Sequence, residues 1–380
     1  MRRVTVMFRF CAPWPPRARI GVMSEPAFQV PTIDIGCFVS GGPAHERRDV
    51  ARAVDAACRT VGFMQIVGHG IPAAVTGGLA AAMDAFFALD LETKKSYRTP
   101  PQINRGYSPP KSESLSLSLG VESANRMNDF FEAFNVGAAR SDYPGVELPA
   151  DDYAENVWPT VPMADGADFR SAVEAHFREA RRVAVTMTDI FELALGLEPG
   201  FYAAHAGHSI DVLRMNNYAL PPGRVELDGE LIGMGEHTDF GIVTVLWADQ
   251  VNGLQVLGRD GAWHDVMPAD DALLINLGDV TGRWTNEQWM STLHRVKPPI
   301  VMSERGGTIE RRRSAAFFHD GDIDALISTM PWSVDAQHPD RFPTPITVGD
   351  HIRAKLAGSR AGTKNDEAGT EKERVLASRG

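Results

Sequence analysis

The 380-residue sequence is poor in cysteine. Cys11, Cys37 and Cys58 are its three, too scattered for a disulfide framework and without a CxxC pair. That excludes a disulfide-stapled fold and fits a reducing, cytoplasmic setting. No stretch approaches the roughly 18 uninterrupted apolar residues of a membrane-spanning helix, and no segment repeats. Positive charge is also in deficit: 38 Lys and Arg against 49 Asp and Glu leave a net charge of −11. Such a chain has no general attraction for phosphate backbones or anionic membranes, so neither nucleic acid nor a membrane is an expected partner. The basic start, MRRVTVMFRFCAPWPPRARIG, lacks a signal-peptide core, because Arg9 breaks its apolar run and Pro13, Pro15 and Pro16 follow. Residues 1–28 read as a flexible extension, with Met23 as an alternative first residue.

What is present is ordinary globular composition, 43% hydrophobic and 23% charged. Residues 29–150 read as a mixed N-terminal region. VPTIDI (30–35) and FMQIVGHG (63–70) look like strands, while 46–61, 73–89 and Glu92–Tyr97 look helical. The stretch from Thr99 to about Gly120 reads as a long loop, a kind of segment often functional. Residues 151–357 begin with the clearest helix, 167–195, whose Val173, Phe177, Ala180, Ala184, Met187 and Phe191 form one stripe; Gly196 and Pro199 end it. Short alternating runs follow at 211–218, 242–247, 254–257, 263–266, 272–277 and 314–318, separated by PPG, NG and RDG turns. Frequent short strands predict an all-β sandwich or barrel in this half. Residues 358–380 read as a disordered, polar tail.

Within GEHTDFGIV (235–243), His237 and Asp239 stand two apart, which puts them on one face of a strand. His294, in STLHRVKPP, offers a third ligand 57 residues downstream. Two histidines and one carboxylate leave three positions of a divalent ion open, the facial triad of non-haem Fe(II) oxygenases. A second HxD, His338-Pro339-Asp340, sits among prolines and reads as loop. His69, His205, His208, His264 and His319 lack partners at strand spacing. In RRRSAAFF (311–318), Arg312 and Ser314 share a face, a fork suited to a carboxylate. Tyr218, in RMNNYALPP, could add a hydrogen bond to the same carboxylate.

Together these segments resemble the isopenicillin N synthase-like family of Fe(II)- and 2-oxoglutarate-dependent oxygenases, over roughly residues 29–357. VPTIDI, VGFMQIVGHGIP, RGY and FFEAFNVG match its N-terminal part; RMNNY, HTDFGIVTVL, NGLQVL, LLINLGD, TNEQWMSTLHRV and RRRSAAFF follow in the family's order. The resemblance implies a double-stranded β-helix, the jelly-roll form of sandwich, with flanking helices. It implies His237, Asp239 and His294 as iron ligands, Arg312 and Ser314 on the distal carboxylate of 2-oxoglutarate, and Tyr218 assisting. The cofactors are then Fe(II), 2-oxoglutarate and O2. The implied reaction couples decarboxylation of 2-oxoglutarate to succinate with hydroxylation, desaturation or cyclisation of a small molecule. The sequence departs from the family between His294 and Arg312, where SERGGTIE looks like an inserted hairpin, and three consecutive arginines leave Arg311 and Arg313 as alternatives to Arg312.

Three other readings compete. A family member without 2-oxoglutarate would place the substrate's own carboxylate on Arg312 and Ser314. A zinc hydrolase also suits His/His/Asp, but no HExxH-type base is present. A metal-free jelly-roll binding protein is the most distant. The loop at 103–122, with Arg105 and Tyr107, and the NDFFEAF run at 128–134, with Phe131, are expected to wall the substrate pocket. The quaternary expectation is a monomer or weak homo-oligomer.

Overall fold

Strand β1 (Thr32–Asp34) pairs in parallel with β2 (Phe63–Val67), and α1 (Gly36–Val39) and α2 (Ala44–Thr60) make the crossover between them. In this computed structural model the described residues are 28–119, 129, 131–219, 233–297, 300–303, 306–361 and 365. The expected extension up to residue 27, the PPG turn at 221–223 and most of the expected tail lie outside them. Helix α2 turns Ala51, Val54, Ala57 and Cys58 into the core, so the expected helical stretch is there with one buried face. Helices α3 (Ala73–Phe87) and α4 (Leu91–Lys95) follow, the second capped by Asp90, whose side chain accepts from Thr93 N.

The expected long loop is more ordered than its composition suggests. It contains β3 (Gly106–Ser108) and a 3-10 turn, Leu115–Leu119, with all five residues buried. Strand β4 (Glu132–Gly137) pairs with β3. Helix α5 (Phe169–Leu195) starts where Asp168 accepts a hydrogen bond from Ser171 N and stops at Gly196, whose φ of +65° suits glycine. It buries Val173, Ala184, Met187, Ile190 and Phe191, each contributing roughly 1.5–3 kcal/mol of transfer free energy where the side chain is large.

The second half is richer in strands: β5 (Val212–Tyr218), β6 (Met234–His237), β7 (Val243–Ala248), β8 (Leu254–Leu257), β9 (Trp263–Asp265) and β10 (Leu273–Leu277). After α6 (Asp279–Trp284) come β11 (His294–Val296), the hairpin β12 (Ile300–Ser303) and β13 (Gly306–Ile309), then β14 (Arg312–His319), β15 (Leu326–Ile327) and β16 (Ile346–Thr347). Helix α7 (Val348–Ala361) is the last helix among the described residues. This half is therefore not all β, and the polar stretch from Ser359 is helical to Ala361 rather than a tail. Gly358 makes the docking of α7 so close that a Cβ there would lie 2.7 Å from the Cα of Ser118.

Two sheets face each other. The larger has the order β1-β2-β10-β7-β14-β5-β4-β3, the smaller β6-β11-β8-β9. All neighbours except β1 and β2 run antiparallel, the pattern of a jelly-roll sandwich. Strands from both halves of the chain share the larger sheet, and one hydrophobic cluster spans Ile33 to Ile352. The cavity lies between the sheets.

Candidate active site

Register determines which side chains enter the cavity. Across β14 and β5, Arg312 stands opposite Tyr218, Ser314 opposite Asn216 and Ala316 opposite Arg214. Cross-strand partners share a face, and these residues all line one cavity together with His237, Asp239 and His294. The lining is largely apolar with a few converging polar groups, the character of a small-molecule site.

The smaller sheet brings two candidate ligands together, since His294 on β11 is the register partner of His237 on β6. Asp239 follows the end of β6 by two residues. One ligand atom of each of the three lies within 4.8 Å of the others, and all three residues are buried. Asp239 Oδ1 is 3.8 Å from His237 Nε2 and 3.6 Å from His294 Nε2. Two ligands roughly 2.1 Å from one ion stand at most roughly 4.2 Å apart, so both separations fit a shared ion.

The surroundings prepare these atoms for a cation. His237 Nδ1 faces Gly235 O at 2.8 Å and His294 Nδ1 faces Thr292 O at 3.0 Å. A carbonyl accepts only, so each Nδ1 carries the proton and each Nε2 presents its lone pair. Burial, and then the neighbouring His294, push the His237 imidazolium well below its usual range, which keeps that ring neutral. Asp239 Oδ2 accepts from Thr244 Oγ1 and from Asn276 Nδ2, leaving Oδ1 for the histidine side. Thr244 and Asn276 are themselves register partners on β7 and β10.

Arg312 is 2% exposed, yet its Nε and Nη1 have no hydrogen-bond partner. A buried guanidinium left so is costly unless an anion completes it. Its carbon lies 5.2 Å from the centre of the Tyr218 ring, and the Tyr218 hydroxyl lies beside Ser314. Burial pushes the Tyr218 phenol up while Arg312 opposes it, so Tyr218 is a neutral donor. Arg311 and Arg313, with the opposite parity, turn outward: both reach Asp84 on α3, at 2.6 and 2.8 Å, and Arg313 also bonds Asp249. Arg312, Ser314 and Tyr218 thus form a carboxylate-sized donor set in the cavity that holds the triad.

The three residues expected on the substrate wall are elsewhere. Arg105 is buried with its Nη2 on the carbonyls of Ala138 and Asp152; burial and the nearby Arg360 pull it down to about 10. Tyr107 donates to Glu132 Oε2 at 2.6 Å, in a network with Lys94 and Asn217 outside the cavity. Phe131 packs beside Tyr218, ring centres 5.7 Å apart, behind the lining. The wall uses their neighbours instead, Asn104, Glu113, Leu115 and Asn135. One residue separates Asn104 from Arg105, whereas Glu113 and Leu115 lie further along the same 103–122 segment and Asn135 lies four residues past Phe131. Helix α7 adds Ile352, Leu356 and Ser359, which no periodic signal marked. Asp320 also lines the cavity, pushed up by burial and by Asp211 and Asp239.

The other histidines are committed to the scaffold. His69 bonds Asp271 O, His205 bonds Phe201 O, His264 bonds Asp260 and His319 bonds Asp211. His208 lies near Asp322 and Asp324, but Asp322 accepts from the Gly207 and His208 amides and serves that turn. His338 bonds Asp335 in an exposed loop.

Comparison with known proteins agrees with this geometry. Residues 30–161 match the family described as non-haem dioxygenase in morphine synthesis N-terminal, and residues 210–321 match the 2OG-Fe(II) oxygenase superfamily. Clavatol oxidase claD of Penicillium crustosum is 30% identical over 347 residues, covering 90% of this chain and 99% of the relative. Among solved structures, a full-length Neurospora crassa protein in complex with alpha-KG and thymine is 25% identical with a TM-score of 0.71, covering 86% of this chain and 96% of that one. A 2OG-Fe(II) oxygenase family protein from Caulobacter crescentus is 28% identical with a TM-score of 0.70, covering 86% and 98%.

Proposed function

The chain belongs to the 2OG-Fe(II) oxygenase superfamily and is a non-haem Fe(II)- and 2-oxoglutarate-dependent dioxygenase; from that premise we propose that His237, Asp239 and His294 hold the iron and that Arg312, Ser314 and Tyr218 receive the distal carboxylate of 2-oxoglutarate. The observation that carries this reading is the unpartnered, buried Arg312 guanidinium in the same cavity as three converging ligand atoms. Metal-free binding leaves the three converging ligand atoms without a purpose, zinc hydrolysis lacks an HExxH-type base, and relatives are named as a 2-oxoglutarate-Fe(II) type oxidoreductase and a 2-oxoglutarate-dependent dioxygenase.

When bound, Fe(II) supplies the oxidative chemistry by which decarboxylation of 2-oxoglutarate to succinate drives oxidation of the substrate. The protein supplies geometry. The Gly235 and Thr292 carbonyls orient the two imidazoles, and Thr244 with Asn276 holds Asp239 so that one oxygen faces them. Arg312 and Ser314 present donors to a carboxylate, with Tyr218 beside them. Apolar Leu246, Leu254 and Phe240 keep water from the remaining space.

The substrate in this proposal is a small molecule. The largely apolar cavity supports it, as does thymine in the Neurospora crassa complex. A cytoplasmic location is likewise proposed: Cys37 and Cys58 are both unpaired, and no helix among the described residues is long and apolar enough to cross a membrane. The test supplies carboxyl-labelled 2-oxoglutarate to the Fe(II)-loaded enzyme and measures labelled carbon dioxide against a panel of small molecules. Release in step with an oxidised product is expected for one of them. Product formation without carbon dioxide release contradicts the role given to 2-oxoglutarate.

A further inference from the structure

Two acceptor atoms at one end of the cavity lack a donor. Asn135, on β4, is fully buried and lines the cavity, and its Oδ1 has no partner. Neighbours fix the orientation of this amide. Arg360 Nη1 donates to Asn104 Oδ1 at 3.0 Å, so Asn104 presents its oxygen and Asn135 must give it Nδ2, at 2.6 Å. The Asn135 oxygen is then left for the cavity. Glu113, 4% exposed, also lines the cavity, and its Oε1 makes no hydrogen bond, although Arg360 Nε is 3.7 Å away and the Ser108 hydroxyl is close.

A donor stands beside them. Arg214 is the register partner of Asn135, so their side chains share a face. Arg214 Nε donates to Asn216 at 3.1 Å and Nη2 to Glu113 at 2.8 Å, while Nη1 donates to no described residue. Burial raises the Glu113 carboxyl, but Arg214 and Arg360 outweigh it and hold the group ionised. Arg214 and Arg360 flank the Glu113 carboxylate, and the buried Asp129 carboxyl, raised to about 7 by burial, stands near both Glu113 and Arg214.

These groups narrow the ligand chemistry. A buried acceptor without a donor is unfavourable, so the ligand has to bring an N–H or O–H. A free carboxylate has no hydrogen to give Asn135. An ammonium would face two guanidiniums. A neutral group with a donor beside an acceptor satisfies Asn135 and Arg214 together. Building on the reading of this cavity as the oxygenase site, we propose that the substrate carries an amide, lactam or imide edge, its N–H directed to Asn135 and its carbonyl to Arg214. The apolar remainder of the molecule lies along Leu246, Leu254 and Phe240.

Isoindolin-1-one and phthalide test this, since the lactam and the lactone have one shape and differ by N–H against O. The full-length protein, loaded with Fe(II) and 2-oxoglutarate in the absence of oxygen, is titrated calorimetrically with each and with benzoate. The lactam is expected to bind about tenfold tighter than the lactone, and benzoate more weakly than the lactam. In Asn135→Leu the lactam preference falls to about one. Equal or tighter binding of phthalide, tightest binding of benzoate, or an unchanged preference in Asn135→Leu overturns the proposal. Titration of the Fe(II)-loaded protein with 2-oxoglutarate, before any other ligand is added, separates the two levels. If 2-oxoglutarate binds and the lactam preference is absent, the amide edge alone is wrong; if 2-oxoglutarate does not bind, the reading of the cavity falls with it.

Discussion

Arg312 and Tyr218 face each other as register partners across β14 and β5, the guanidinium carbon 5.2 Å from the centre of the phenol ring. That pairing selects one arginine of three. Arg312→Met is expected to raise the KM for 2-oxoglutarate by about one to two orders of magnitude, because each charge-assisted hydrogen bond contributes roughly 1.5–3 kcal/mol. Arg311→Ala and Arg313→Ala, which break half-exposed pairs with Asp84, should leave that KM unchanged and lower stability by no more than about 1 kcal/mol each. A KM effect confined to Arg311 or Arg313 would move the anchor to the other face of the strand.

Thr244 and Asn276 touch Asp239 and not its partners in the triad. Removing either donor, as Thr244→Val or Asn276→Leu, should weaken Fe(II) binding by about 10- to 100-fold while the fold stays intact. Anaerobic equilibrium titration of the metal measures this. Unchanged affinity in both variants would mean that Asp239 needs no orienting donors.

Lys355 binds the C-terminal helix to the segment that carries His237 and Asp239. Its ammonium lies 2.9 Å from Asp279 and 3.2 Å from Thr238 Oγ1, while Asp279 N donates to Asp239 O. Lys355→Met leaves Asp279 buried without its main counter-charge and should cost about 3–5 kcal/mol of stability, read from the urea midpoint. Adding Asp279→Asn should recover part of that loss. If the single variant is as stable as the wild type, the pair does not hold the helix.

Burial pulls the His176 imidazole down to about 4, and its Nδ1 has no partner. The unfolded ring titrates near 6.5, so below that pH the unfolded chain takes up a proton that the native state refuses. Stability therefore falls as pH drops from about 6.5 towards 4. His176→Leu should flatten part of that slope in urea melts across the window. An identical slope in the variant would assign the titration to other groups.

Much of this was legible in the sequence where period and parity coincide. The α5 stripe and the alternation of β14 follow from fixed helix and strand geometry; the His237–Asp239 spacing marked a converging pair, although β6 ends at His237 and Asp239 reaches its neighbours from the turn that follows. The substrate wall was not legible, because one residue of register separates Arg105 from Asn104, and the composition of a Pro- and Ser-rich segment does not reveal which residue turns inward. Arg214 and Asn216 share the parity of Tyr218 on β5 and could have been found from it. Helix α7 gave no such signal. Its amphipathic face buries His351 and Lys355 as well as Ile352, and those two polar residues become burial-compatible only through Asp279, 72 and 76 positions earlier in the chain.

The Fe(II) stoichiometry of the wild type against Asp239→Ala bears on the centre of the account. Asp239 Oδ1 stands 3.8 and 3.6 Å from the two imidazole Nε2 atoms, and alanine removes it without adding bulk to the cavity. Anaerobic titration is expected to show one tightly bound Fe(II) per wild-type chain and none in Asp239→Ala, with far-ultraviolet circular dichroism unchanged. One equivalent of tightly bound Fe(II) in the folded variant would contradict the assignment of His237, Asp239 and His294 as the metal centre.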